Sequence, residues 1–252
     1  MICAPWTSGF HGHRGSAGAR ALAAGLDPDA RVVGTDAGDL ESTLALLADA
    51  VAAETDKVPV VVFAECTLAP GIVAGLERRL GRTPAVLWLD AHGDLNTPAS
   101  SPSGFPGGMP LAALVGWCHP AWREAGGMSV VPEAHVALVD GRDLDPPEAE
   151  LLHASDIIVG RSVGDALDFL PADRPIYVHF DTDILDPADV AGAEYEVPGG
   201  PTAAELIADL GLIRERGRTI AGIGIGCGSA GLDAGAPIHA TVARVLGVLA
   251  AG

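Results

Sequence analysis

Two short stretches of the chain concentrate side chains that bind cations. Asp90-Ala-His92-Gly-Asp94 follows the apolar run 85–89, and Asp181-Thr-Asp183-Ile-Leu-Asp186-Pro187 follows the apolar run 175–180. Within each, polar side chains recur two residues apart, which on an extended strand end sends them to one side. The carboxylates of Asp90, Asp94, Asp181 and Asp183 and the His92 imidazole can then converge. Carboxylates crowded together repel, and divalent cations are the usual compensation. A donor set rich in oxygen with one imidazole favours a hard or borderline ion, Mn²⁺ first, with Co²⁺, Fe²⁺ or Zn²⁺ behind it. A single Asp-x-Asp pair is as readily a turn or a helix cap, and a lone histidine is more often structural. Two such pairs, each closing an apolar run, favour a metal site.

The scaffold around these motifs is legible as an alternation. β-Branched runs at 58–63, 85–89, 135–139, 175–180 and 219–225 are separated by Ala/Leu-rich helical stretches, the signature of a parallel sheet. Shorter runs at 2–4, 31–35 and 156–159 bring the sheet to about eight strands. After Thr202 a capping box with Glu205 starts a helix that runs to about Arg216, where Gly217 stops it. The stretch 238–249 has helical apolar spacing and should pack on the sheet. Gly and Pro crowd 98–110 and 197–201, the expected active-site loops. In open parallel sheets ligands bind beyond the carboxyl ends of the strands, which is where both acidic motifs fall.

The chain has 252 residues and no spacer at which to divide it, so it reads as one α/β domain over 1–252 with a mostly parallel sheet. Hydrophobic residues make up 48% but aromatics only 4%, so Ala, Val, Leu and Ile must fill the core. A net charge of −18 repels phosphate backbones and anionic lipid heads, which argues against nucleic-acid and membrane partners. Four scattered cysteines, Cys3, Cys66, Cys118 and Cys227, form neither a disulfide framework nor a zinc ribbon. With no leader-like or membrane-spanning apolar run, the expected location is the cytoplasm.

Four motifs in order resemble those of arginases and agmatinases: Asp-Ala-His-Gly-Asp-Leu-Asn-Thr-Pro at 90–98, Gly-Gly-Met-Pro at 107–110, Gly-Arg-Asp-Leu-Asp-Pro at 141–146 and Phe-Asp-Thr-Asp-Ile-Leu-Asp-Pro at 180–187. The start Ala4-Pro5-Trp6-Thr7-Ser8-Gly9 is similar too, so the resemblance covers nearly the whole chain. It implies a three-layer αβα fold and a binuclear manganese site. There Asp90 and Asp181 bridge, His92 and Asp183 complete one metal, and Asp94 helps to complete the other. A hydroxide between the ions is the implied nucleophile toward a guanidinium carbon, a role that paired cations suit because they acidify shared water. The resemblance also matches Asn96 and Ser103 to positions that bind the α-carboxylate of arginine, and Asp143 and Asp145 to the region that receives its α-amino group. A turn for Asn96 and loop caps for Asp143 and Asp145 are the plainer alternatives. Family members commonly form trimers or hexamers, so a homo-oligomer is expected.

Three departures bear on the substrate. The family's Gly-Gly-Asp-His becomes Phe63-Ala-Glu65-Cys66, leaving a softer thiol where the first metal usually has an imidazole. That site is expected to be weak, unless Cys66 is simply a buried inert thiol. Gly107 stands where a proton-shuttling His normally precedes Gly-Met-Pro, and no other histidine is obviously placed for the task. The strand at 219–226 leads to Gly224-Ile-Gly226-Cys227-Gly228 rather than to a guanidinium-gripping Glu. The segments around Cys66, Gly107 and Tyr195-Glu196-Val197-Pro198 look like the branch that hydrolyses N-hydroxy-L-arginine. The expected activity is thus hydrolysis of a guanidino or N-hydroxyguanidino amino acid. The alternatives are cleavage of another C–N bond, as in a peptidyl arginine or a modified amino-acid amide, and a pseudoenzyme that binds metal or amino acid without turnover.

Overall fold

Valine, isoleucine and leucine runs bounded by Gly, Pro and Asp become eight strands in the computed structural model, which describes residues 1–191, 195–226 and 237–250. The strands are β1 (Ile2–Ala4), β2 (Arg31–Val32), β3 (Val60–Phe63), β4 (Ala85–His92), β5 (Val136–Asp143), β6 (Ile158–Gly160), β7 (Ile176–Asp181) and β8 (Ile220–Gly226). They form one sheet in the order β2-β1-β3-β8-β7-β4-β5-β6, and every neighbouring pair is parallel. The expected strand at 31–35 is shorter than its sequence suggested, because the backbone turns at Gly34 (φ 78°). β4 and β5 run past their apolar stretches to His92 and Asp143, so polar site residues sit within the sheet itself.

Nine helices are described: α1 (Arg14–Leu26), α2 (Leu40–Ala52), α3 (Ala69–Leu80), α4 (Pro110–Leu114), α5 (Pro120–Gly126), α6 (Pro146–His153), α7 (Val163–Phe169), α8 (Ala203–Glu215) and α9 (Pro237–Leu249). Side-chain alternation along the strands divides the core in two. Val61, Phe63, Trp88 and Tyr177 project to the face covered by α2, α3, α4 and α5. Val62, Leu87, Val178 and Ile223 project to the face covered by α1, α7, α8 and α9. This is the three-layer arrangement, and burial on both sides explains why the strands read as continuous apolar runs. The Thr202–Glu205 capping box and the left-handed Gly217 (φ 65°) bound α8 as their residue types predict. Among the described residues no helix is long and apolar enough to cross a membrane.

Candidate metal centre

At the carboxyl ends of β3, β7, β4 and β5 lies a cavity of about 350 Å³. Ten residues singled out from the sequence line it: Cys66, Asp90, His92, Asp94, Asn96, Ser103, Asp143, Asp145, Asp181 and Asp183. The convergence does not come from strand pleating alone. Asp90 and His92 belong to β4, but Asp94 lies beyond its end with φ 51°, and Asp183 sits in the 3₁₀ turn Thr182–Ile184 after β7. Turns rather than extended backbone bring the second carboxylate of each motif inward, since Asp tolerates the left-handed region that Asp94 occupies. A shift of register between Asp90/Asp140 and His92/Asp143 marks a bulge, with Asp140 at φ 80° and Gly141 at φ 56°. The bulge re-aims the end of β5 toward the cavity.

The acidic cluster is internally wired. The Trp88 indole donates to Asp90 Oδ2 (3.2 Å) and the His92 backbone N–H donates to Asp90 Oδ1 (2.7 Å). Asp183 Oδ1 accepts from the Ala91 N–H (3.3 Å), and Asp181 Oδ1 from the Asp183 N–H (3.0 Å). His92 Nδ1 lies 3.1 Å from Asp183 Oδ2 and 3.3 Å from Asp90 Oδ1, and its Nε2 lies 3.8 Å from Asp143 Oδ2. The Cys66 thiol donates to Asp181 Oδ2 (3.1 Å). Arg142 is ion-paired with Asp140 and donates to the carbonyls of Ile184 (3.1 Å), Asp183 (3.0 Å) and Val197 (2.6 Å), clamping the turn that carries Asp183.

Proton affinities show how strongly this cluster wants positive charge. Burial, then the neighbouring charge of Asp183, pushes Asp181 up to about 7; burial and Asp90 do the same to Asp183. Burial raises Asp90, and burial with the Asp90 charge drives Asp94 well above the carboxylate range. Burial opposes a charged His92, but its hydrogen bonds to Asp183 and Asp90 outweigh that and push it up to about 12. Burial raises the Cys66 thiol as well, with Asp181 adding to the effect.

The donor groups fit metal ions. Asp90, His92 and Asp183 bring ligand atoms within 4.8 Å of one another, and Cys66, Asp90, Asp94 and His179 do the same. Asp90 belongs to both sets, and Asp94 Oδ2 is buried without a hydrogen-bond partner. Asp181 lies beside the second set through its contact with Cys66.

Several residues escaped the sequence reading. Glu148 is buried and accepts from the Leu95 N–H (2.7 Å) and the Asp145 N–H (3.2 Å), tying the Asp94–Asn96 loop to the start of α6. The Asp145-x-x-Glu148 spacing is a capping box that could have disclosed it. Two further histidines reach the site: His11 lines the cavity and His179 lies with the Cys66 set. The His11 ring packs edge-on against Phe105 (4.8 Å) and Tyr195 (5.4 Å), giving the cavity an aromatic side. At Gly107 a Cβ would meet the Phe105 ring at 2.3 Å, so that ring fills the space beside the missing His. Cys227 and Gly228, where the expected guanidinium-binding Glu is absent, lie outside the described residues.

Comparison with known proteins agrees with this construction. The Arginase family model matches residues 27–246. The arginase of Bacillus caldovelox is 34% identical over 175 residues, 62% of this chain and 58% of its own. The N(omega)-hydroxy-L-arginine amidinohydrolase of Streptomyces lavendulae is 36% identical over 124 residues, 48% of this chain and 43% of its own. The matched segment therefore spans only about half the length of these curated relatives. The solved structure of the Bacillus caldovelox arginase has a TM-score of 0.83 at 26% identity, covering 100% of this chain and 97% of that one. The formimidoylglutamase of Bacillus subtilis, at 16% identity and a TM-score of 0.75, shares the fold. Because the family model extends from residue 27 to residue 246 and its acidic motifs meet in one cavity, the chain belongs to the arginase family.

Proposed function

We propose that this protein is a metal-dependent amidinohydrolase that cleaves a C–N bond of a guanidino or N-hydroxyguanidino amino acid, with N-hydroxy-L-arginine favoured over arginine. The observation that carries the reading is the meeting of Asp90, His92, Asp94, Asp181 and Asp183 on one wall of a cavity whose other polar residues include Asn96 and Asp145. Two divalent ions, Mn²⁺ foremost, would acidify a shared water and present it as a nucleophile near neutral pH. Asp90, His92, Asp94, Asp181 and Asp183 would hold the ions, and Asn96, Ser103, Asp143 and Asp145 would orient the α-carboxylate and α-amino groups so that the guanidino end faces the acidic residues.

Preference for the hydroxylated substrate is supported by Gly107 and Phe105. An N-hydroxyguanidine is less basic than a guanidine, so more of it is neutral and proton transfer is less demanding. A site with an aromatic ring where a proton carrier is expected suits such a substrate. The relative from Streptomyces lavendulae, described as acting on N(omega)-hydroxy-L-arginine, points the same way. The free thiols of Cys3, Cys66 and Cys118 accord with a cytoplasmic location, and family habit favours a homo-oligomer.

The deciding experiment supplies Mn²⁺ and measures urea from arginine and hydroxyurea from N-hydroxy-L-arginine, with the decarboxylated amines alongside. Faster hydroxyurea release from the amino acid than from its amine is expected. Release of neither product, from a protein that retains metal, would reject amidine hydrolysis in favour of another C–N bond or of binding alone.

A further inference from the structure

His179 is an oddity in the middle of the sheet. It lies on β7, fully buried, its ring stacked on Trp88 at 3.4 Å with planes 5° apart and flanked by Phe63 at 5.1 Å. Its Nδ1 lies 3.0 Å from the Tyr177 hydroxyl, and its Nε2 has no hydrogen-bond partner. A buried nitrogen left unpaired is destabilising, and an aliphatic side chain would avoid that penalty. A ring nitrogen of His179, Cys66 Sγ and carboxylate oxygens of Asp90 and Asp94 lie within 4.8 Å of one another. Asp94 Oδ2, in the same group, is buried and unpartnered as well. Two opposed metal bonds of about 2.0–2.3 Å span nearly that distance, so the four groups match one coordination sphere.

We propose that His179 is a metal ligand, its Nε2 completing with Cys66, Asp90 and Asp94 a first metal site of one thiolate, one imidazole and two carboxylates. The inference rests on the two-metal reading given under Proposed function. It replaces the expected weakness at Cys66 with a different ligand set, in which the imidazole arrives from β7 rather than from the loop after β3. Metal-bound histidines generally have their second ring nitrogen held by a hydrogen bond, and the Tyr177 hydroxyl is in place for Nδ1. The backbone makes room for that pair: β8 sets Gly224 opposite His179, and a Cβ there would fall 2.3 Å from Tyr177 Oη. On metal binding the Cys66 thiol, now donating to Asp181, releases its proton to solvent and frees the Asp181 carboxylate for an ion. A site with thiolate and imidazole takes borderline ions such as Co²⁺ or Zn²⁺ in preference to Mn²⁺, whereas Asp90, His92 and Asp183 form the harder site. The two positions should therefore differ in metal preference.

The test compares the wild-type chain, His179→Phe and Tyr177→Phe, each stripped with chelator and titrated with Co²⁺ and with Mn²⁺. Bound metal after dialysis, thiolate-to-cobalt charge-transfer absorption and the metal-induced rise in Tm are recorded. Wild type should take two Co²⁺ per chain and show the thiolate band. His179→Phe should keep the stripped protein's Tm or raise it, retain one ion, and lose the band or weaken first-site affinity about 10- to 100-fold. Tyr177→Phe should weaken the same site less. His179→Asn serves with the same readouts if the phenylalanine variant does not fold. Two ions and an unchanged band in the His179 variants would overturn the inference while leaving the two-metal reading intact. A wild type that binds one ion, unchanged in the variants, would overturn it too. A wild type that binds no ion would reject the two-metal reading itself.

Discussion

Asn96 and Asp145 are bound to each other: Asn96 Nδ2 donates to Asp145 Oδ2 at 2.9 Å, and Ser100 Oγ donates to Asn96 Oδ1 at 3.0 Å. Asp145 is held in turn by its place at the start of α6, where its N–H donates to Glu148. Two residues proposed to receive the α-groups of the substrate are thus fixed relative to each other before any ligand arrives, which lowers the ordering cost of binding.

Asn96→Ala should therefore raise KM about 10- to 100-fold, the equivalent of about 1.5–3 kcal/mol for a hydrogen bond to a charged group, with kcat little changed. Steady-state kinetics on N-hydroxy-L-arginine check this. A fall in kcat at constant KM would place Asn96 in the chemistry rather than in recognition.

Stripped of metal, the protein should lose stability as pH rises. Asp181 and Asp183 hold their protons up to about 7 when folded, whereas an unfolded Asp releases its proton near about 4. Between those values the folded state binds more protons than the unfolded chain, so the slope of stability with pH is negative. The contribution is fully present below about pH 4 and is lost as pH rises through about 7. Asp186, held low by backbone donors, acts in the opposite sense in more acid solution. His179, His119 and His135, held low by burial, oppose it where an unfolded imidazole titrates, but they are fewer than the raised carboxylates Asp90, Asp94, Asp181 and Asp183. Cations compete for the same oxygens, so Mn²⁺ should raise Tm more at about pH 8 than at about pH 5.5. Thermal scans with chelator and with Mn²⁺ across this range test both signs. A chelated Tm that climbs from about pH 5 to about pH 7 contradicts the account.

How far the sequence disclosed the site depends on which residues one asks about. Asp90 and Asp181 were legible because each closes an apolar run, and a parallel sheet places such ends at the site. His92, Asp94 and Asp183 were found by proximity to them, yet two of the three arrive by turns that alternation does not describe. His179 was hidden because it stands within a hydrophobic run, and its neighbours Trp88, Phe63 and Gly224 come from three other strands. Strand order is long-range information, and local pattern carries none of it. The aromatic side of the cavity escaped for the same reason, since His11, Phe105 and Tyr195 are distant in sequence.

Gly226 supports Asp181 by having no side chain. β8 sets it opposite Asp181, and a Cβ would lie 2.6 Å from Asp181 Oδ2 and 2.9 Å from the Phe63 ring. Gly226→Ala should displace that carboxylate and lower metal affinity about 10- to 100-fold, with an overpacking cost of about 1–3 kcal/mol. Gly211→Ala is the control, because nothing lies within 4 Å of a Cβ there and alanine in α8 should stabilise by about 1 kcal/mol. Metal titration beside urea denaturation separates the two effects. Equal metal affinity in both variants would show that Asp181 does not depend on this contact.

Restoring a histidine at Gly107 should fail unless Phe105 gives way. Gly107 is buried, and a Cβ on it would approach Phe105 Cε1 and Cζ to 2.3 Å, far inside contact distance. Phe105 is in turn packed against Phe10 (5.3 Å), His11 (4.8 Å) and Tyr195 (5.9 Å). Gly107→His alone should therefore disturb the aromatic side, cost about 1–3 kcal/mol, and leave arginine hydrolysis near its original rate. Phe105→Ala combined with Gly107→His frees the space for an imidazole beside the acidic cluster. General acid–base assistance contributes about 10²- to 10⁴-fold where it is well placed, so the double variant should gain on arginine, the more basic substrate, relative to N-hydroxy-L-arginine. The ratio of kcat/KM for the two substrates is the quantity to follow, because simple damage lowers both together. An arginine preference that rises in the double variant and not in either single one identifies the Phe105 ring as the steric reason this site lacks the proton carrier. A ratio unmoved in all three variants would show that the identity of residue 107 does not set the choice of substrate.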